Sequence, residues 1–128
     1  MDPIANMIIM MKNASAAGKE SVTVPYSALK HAIAECLRKA GYAGEISKKS
    51  KKNQPMLEIE LLYENKKPKI TQVERVSKQS RRVYFGVKKL HRVRGGEGLL
   101  VLSTPKGILD GKSAQKEQVG GEALFKIW

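Results

Sequence analysis

Four apolar residues, Leu99-Leu100-Val101-Leu102, run without a break into Ser103-Thr104-Pro105-Lys106-Gly107. The apolar run predicts a buried strand, and Pro105 and Gly107 end it in a polar loop that carries two hydroxyls and a lysine. Further on, Gly120-Gly121-Glu122 leads into a last strand-like segment, Ala123-Leu124-Phe125-Lys126-Ile127-Trp128. A strand, a Ser-Thr loop, a short linking segment and a glycine-rich return bring two small-residue backbones side by side. Glycine allows another backbone to come close, and hydroxyls donate and accept at short range. Such a surface suits a polar, shaped partner. Hydroxyls that merely satisfy their own turn are the competing reading of Ser103 and Thr104.

The first half of the chain reads as mixed helix and strand. Asp2 is placed to cap a helix with Pro3 at its first position, and Ile4, Met7, Ile8 and Met11 share one face as core. Lys12-Asn13 closes that helix, and Ser21-Val22-Thr23-Val24 is a short strand stopped by Pro25. Ser27 is the N-cap of a second helix, with Leu29, Ile33, Cys36, Leu37 and Ala40 as its apolar stripe and Gly41 just past its end. In residues 56–64, Leu57, Ile59, Leu61 and Tyr63 alternate with Glu58, Glu60 and Glu64, the pattern of a sheet with one wet face. Lys48-Lys49-Ser50-Lys51-Lys52-Asn53 is expected at a hairpin tip between residues 43–48 and this strand, either as an RNA contact or as a solvated turn.

Asn65-Lys66-Lys67-Pro68-Lys69 reads as a charged, proline-marked linker and sets the expected domains at residues 1–66 and 67–128. Beyond it, residues 70–76 and 82–85 read as strands around a loop at residues 77–81. A short helix is expected over residues 112–119, capped by Asp110 or Ser113. The fold class is α/β (α+β) with a β-rich second half.

Charge narrows the partner. The chain carries 24 Lys and Arg against 12 Asp and Glu, and the excess is concentrated: residues 1–64 have a net charge of +2, residues 65–128 of +10. A polyanion fits that half, because binding phosphates releases condensed counterions. A basic surface that serves solubility alone is the other reading.

Other classes find little support. No 18-residue apolar run predicts a membrane span, and Met-Asp-Pro-Ile is not the start of a signal peptide. Cys36 alone makes no internal disulfide and suits a reducing compartment. One cysteine with two distant histidines, His31 and His91, predicts no metal site and no cofactor. The glycines of Gly95-Gly96-Glu97-Gly98 precede a strand rather than a helix and lack the following Lys-Ser/Thr of a phosphate-binding loop, so a tight turn is expected. No Gly-x-Ser-x-Gly elbow surrounds Ser103, and Glu122 has no visible second carboxylate, so no enzyme and no small-molecule substrate are expected.

In this order, Asp2-Pro3-Ile4-Ala5-Asn6-Met7, Val76-Ser77-Lys78 through Arg82-Val83-Tyr84, Ser103-Thr104-Pro105-Lys106-Gly107 and Gly120-Gly121-Glu122 with an aromatic end resemble the family of small-subunit ribosomal protein eight. The resemblance covers nearly the whole chain. It implies two α/β domains and a structural, RNA-binding role in the small ribosomal subunit, with small-subunit ribosomal RNA and neighbouring ribosomal proteins as partners and a monomer when free. It implies a cytoplasmic ribosome, with a plastid ribosome as the alternative. It also implies that the C-terminal domain grips an irregular stem of the RNA central domain. By position, the contacts fall on Ser103, Thr104, Pro105, Lys106, Gly107, Gly120, Gly121 and Glu122, with Tyr84 beside them. A neighbouring RNA element falls to Lys12, Asn13, Ser27 and Lys30 of the N-terminal domain. Tyr84 reads equally as a half-buried strand tyrosine, and Glu122 as an acceptor for a base amino group or for loop N–H groups. Three positions depart from the family: Pro105 replaces a common serine, Ser113-Ala114-Gln115-Lys116-Glu117 lacks the usual Ala-Arg pair, and Phe125 replaces a common cysteine. A free-standing basic RNA- or DNA-binding regulator is the alternative function.

Overall fold

A computed structural model describes residues 3–78, 80–86 and 98–128. They fall into two compact units, Pro3–Thr71 and Gln72–Trp128.

The first unit runs α1 (Pro3–Ala16), β1 (Ser21–Pro25), α2 (Ala28–Lys39), β2 (Ala43–Lys51), β3 (Gln54–Leu61), β4 (Tyr63–Glu64) and β5 (Lys67–Pro68). β1, β3 and β2 form an antiparallel sheet in that order. Its core takes Ile4, Met7, Ile8 and Met11 from α1, as their spacing predicts, and Leu57, Ile59 and Leu61 from the alternating strand. α1 runs on past Asn13 to Ala16, and Asp2 lies outside the described residues.

α2 is bounded as its ends dictate. Ser27 Oγ accepts from Lys30 N–H at 3.1 Å. At the other end Gly41 N–H donates to the Arg38 carbonyl and Tyr42 N–H to the Leu37 carbonyl, with Gly41 at φ 88°. Glycine takes that left-handed conformation without a Cβ penalty, which is why it ends helices. Cys36 is buried and forms no disulfide among the described residues. Leu29 and Ala40, expected on the apolar stripe, are exposed; the buried set is Ile33, Ala34, Cys36 and Leu37. Ser27→Ala removes the cap and should lower stability by about 1 kcal/mol, read from the midpoint of urea unfolding.

The lysine run is strand rather than tip. Residues 48–51 continue β2, and only Lys52-Asn53 turn, both at positive φ, so that Lys51 pairs with Gln54. Two residues at positive φ make the tight turn that suits the twist of a hairpin. β2 is an edge strand, which explains how so many lysines fit: one side of it is wet. Lys48 Nζ lies 4.2 Å from the Tyr26 ring centroid, and Lys49 Nζ is 2.8 Å from Glu58 Oε1. The first is a cation–π contact; the second is a hydrogen bond that holds the Glu58 carboxyl below the usual carboxylate range. Asn65-Lys66, expected in a linker, form the turn of a small hairpin in which Tyr63 pairs with Pro68.

The second unit contains β6 (Val73–Arg75), β7 (Tyr84–Phe85), β8 (Leu99–Thr104), β9 (Gly107–Asp110), α3 (Gly111–Lys116) and β10 (Gly121–Ile127). Its sheet order is β6-β10-β8-β9, and β7 also pairs with β10. The expected strands over 70–76 and 82–85 are therefore short. β6 and β7 share one edge of β10, so neither can extend along it. Leu100, Leu102, Ala123 and Ala114 of α3 form a buried cluster, with Phe85, Leu109 and Trp128 packed against it. α3 ends at Lys116 rather than 119, and Asp110 occupies its N-cap without a side-chain cap bond. Residues 88–97, with the expected basic segment and most of the glycine turn, lie outside the described residues.

Candidate nucleic-acid interface

Strand register collects the candidate residues of the second unit. Tyr84 pairs with Glu122, Glu122 with Ser103, and Ser103 with Ile108, so β7, β10, β8 and β9 contribute one residue each to a single row. Side chains alternate across a strand, which puts this row on the face opposite Phe85, Ala123, Leu102 and Leu109. One face of the sheet holds α3; the other presents an aromatic ring, a carboxylate and a hydroxyl side by side.

Each member has a defined state. Tyr84 is 68% exposed, which decides against a half-buried strand tyrosine. Its ring is open for stacking on a base. Ser103 Oγ makes no hydrogen bond among the described residues, so its donor and acceptor both remain available. Glu122 is largely covered, at 17% side-chain exposure, and Arg82 Nη1 donates to its Oε2 at 3.0 Å. The carboxylate on this basic face thus holds a guanidinium beside Tyr84. The sequence reading does not single out Arg82, although an extended chain puts residues two apart on one face and so ties it to Tyr84.

Thr104 is committed to its turn. Its hydroxyl donates to the Gly107 carbonyl at 2.7 Å and accepts from Lys106 N–H at 3.1 Å. This is the self-satisfied arrangement of a turn hydroxyl. Pro105 occupies the second turn position, for which its fixed φ is suited. Gly107 closes the turn at φ 110°. Lys106 Nζ reaches Glu117 Oε2 at 3.1 Å. An exposed ion pair of this kind is of small worth, and a phosphate can displace it.

The glycine pair is explained by protein rather than ligand. A Cβ on Gly121 would fall inside contact distance of the Ser103 carbonyl oxygen and 2.9 Å from its carbon. On Gly120 it would collide with the Phe85 carbonyl and approach the Gly86 Cα to 2.9 Å. Gly120 and Gly121 therefore let β10 enter between β7 and β8, and this creates the row.

The four candidates of the first unit do not form such a group. Lys12 is half-buried and Asn13 exposed near the end of α1. Ser27 caps α2, and Lys30 supplies the capped N–H while its Nζ reaches the Pro25 carbonyl at 3.4 Å. Among the described residues no cluster of three metal-binding side chains occurs, and no helix is long and apolar enough to cross a membrane.

A small basic α+β chain with a hydroxyl, an open aromatic ring and a guanidinium on one sheet face has the surface of a nucleic-acid-binding module. Comparison with known proteins is specific. The family model described as ribosomal protein S8 matches residues 2–128. Curated relatives named small ribosomal subunit protein uS8 include one from Persephonella marina, 46% identical with 99% of this chain and 98% of the relative covered. Others are from a Bradyrhizobium species, 43% identical with 99% and 97% covered, and from Ruminiclostridium cellulolyticum, 42% identical with the same coverage. The chain belongs to the ribosomal protein S8 family.

Proposed function

We infer that the protein is a structural, non-catalytic constituent of the small ribosomal subunit. In this reading it binds small-subunit ribosomal RNA directly and helps fold it during assembly. The observation that carries the reading is the row of Tyr84, Glu122 and Ser103 on a protein of this family. A hydroxyl with no hydrogen bond among the described residues reads a 2′-hydroxyl or a base edge, and an open tyrosine stacks a displaced base. Arg82, fixed by Glu122, lies beside them for a phosphate or a base face. The partner is an irregular stem of the RNA central domain, gripped by the second unit. Lys12, Asn13 and Lys30 of the first unit touch a neighbouring RNA element, Ser27 acting there through the helix it caps. The free protein is a monomer, and it works on the cytoplasmic ribosome beside other small-subunit proteins.

The two hydroxyls of the loop separate contact from scaffolding. Ser103→Ala should weaken binding to the RNA stem by about 1 kcal/mol or more, with the urea midpoint unchanged, because its hydroxyl makes no hydrogen bond among the described residues. Thr104→Ala should instead loosen the turn and move both readouts. Titration calorimetry of both variants against the stem, beside urea unfolding of each, is the test. Wild-type affinity in Ser103→Ala would remove the hydroxyl from the interface.

A further inference from the structure

A second concave surface of the same unit has the construction of an anion site. Between β6 and β7 the chain leaves the edge of β10 and returns, forming an arch tied at its base. Val76 and Ser77 N–H groups donate to the Leu124 and Ala123 carbonyls, both at 3.1 Å, and Ala123 N–H donates to the Val83 carbonyl at 2.8 Å. Ser77 is fully buried, and its hydroxyl accepts from Val83 N–H at 2.8 Å and donates to the Val83 carbonyl at 3.2 Å. Near the tip, Lys78 and Arg81 exchange backbone bonds at 2.8 and 3.0 Å.

Beside this arch lies a pocket of about 310 Å³ whose charged lining is Glu74, Arg75, Lys78, Arg81 and Lys126. Four cations face one carboxylate there. Glu74 is engaged by Lys126, at 3.8 Å, and Arg75 is anchored by a hydrogen bond from its guanidinium to the Leu124 carbonyl. Lys78 and Arg81 are exposed and make no side-chain hydrogen bond or ion pair among the described residues. Two like charges, on residues that exchange backbone hydrogen bonds, over a pocket already rich in cations, repel each other until an anion sits between them. The guanidinium fork and the ammonium suit phosphate oxygens.

We propose that this pocket seats a backbone phosphate of the bound RNA, a contact separate from the row of Tyr84, Glu122 and Ser103. The proposal rests on the RNA-binding reading above. Its ligand is a phosphodiester, and the arch supplies the register that a lysine-rich surface alone lacks. Because Lys78 and Arg81 carry no side-chain bond among the described residues, they can be replaced while Ser77 and the backbone bonds of Val76, Ser77 and Ala123 stay in place.

The test measures affinity for an irregular central-domain stem against salt, for the wild type, for K78Q/R81Q and for K39Q/K66Q, a charge-matched control with both changes on exposed lysines of the other unit. K78Q/R81Q should flatten the log-affinity against log-salt slope by about one unit, the loss of one phosphate contact, so that raising salt from about 50 to about 200 mM costs it roughly fourfold less affinity than it costs the wild type. The control should keep the wild-type slope. An unchanged slope in K78Q/R81Q, or an equal change in both doubles, overturns the proposal. Inorganic phosphate is titrated in parallel, with the Arg81 amide followed by NMR; saturation there with no change in the RNA slope would assign the pocket to a free anion and also overturn it. A wild type that fails to prefer the native stem over a scrambled duplex contradicts the RNA reading instead, and the slope comparison separates the two failures.

Discussion

Phe125→Ala should destabilise the protein by about 3–5 kcal/mol, a large part of what a chain of this size has. Phe125 is fully buried in β10, where it pairs with Val101 on one side and Arg75 on the other, just past the register shift that follows Ala123. Truncation removes a ring from the strand that every other strand of this sheet except β9 pairs with directly. The lone tryptophan, Trp128, packs on the Leu100 and Leu102 cluster and reports the unfolding of that unit by fluorescence. The expected result is a much lower urea midpoint with the same slope. Binding to RNA should be intact in whatever fraction stays folded, because Phe125 is not in the row that faces outward. A midpoint close to that of the wild type would show that the site collapses around the missing ring, against the packing described.

Gly121→Ala should cost about 1–3 kcal/mol and should weaken RNA binding beyond what loss of folded protein explains. The added methyl meets the Ser103 carbonyl and the Thr104 Cα, at 3.1 Å for the latter, and both are backbone. Backbone cannot rotate away as a side chain does, so β10 must separate from β8. That separation pulls Glu122 from Ser103 and breaks the row. Gly107→Ala provides the contrast: nothing lies within 4 Å of its added methyl, and its penalty comes from a φ of 110°. It should strain the turn and leave the register of Glu122 with Ser103 unchanged. Unfolding curves and stem titrations of the two variants, measured together, separate seam from turn. Equal effects on stability and affinity in both would contradict a specific role for the close approach at Gly121.

What is legible in the sequence is local. The α1 face, the Ser27 cap, Gly41 beyond α2, the burial of Cys36 and the alternation of Leu57, Ile59 and Leu61 all depend on residues within a turn or two of each other. Leu29 shows where that logic stops: periodicity gives the angle around a helix, and not how far along it a packing surface extends. The lysines of β2 mislead for a related reason. Charge argues for a tip, whereas edge position and the positive φ of Lys52 and Asn53 decide the strand length.

The candidate face is partly legible. Ser103, Glu122 and Tyr84 stand out individually, but their register lies in pairings between residues 19 and 38 positions apart, which no local pattern encodes. The family resemblance assigns Thr104 and the glycines to a ligand; in the structure Thr104 closes its turn, which is the competing reading its sequence offers, and Gly120 and Gly121 admit a strand. Arg82 escapes notice because a single arginine in a basic stretch carries no signal until its carboxylate partner, 40 residues away, is in place.

The central claim is that a shaped surface, and not charge alone, selects the RNA. It is tested most directly by titrating the protein against a small-subunit central-domain stem and against a scrambled duplex of equal length, each at two salt concentrations. The account predicts a strong preference for the native stem that survives at the higher salt and shrinks in Ser103→Ala. Equal affinity for both duplexes, lost together as salt rises, would contradict it.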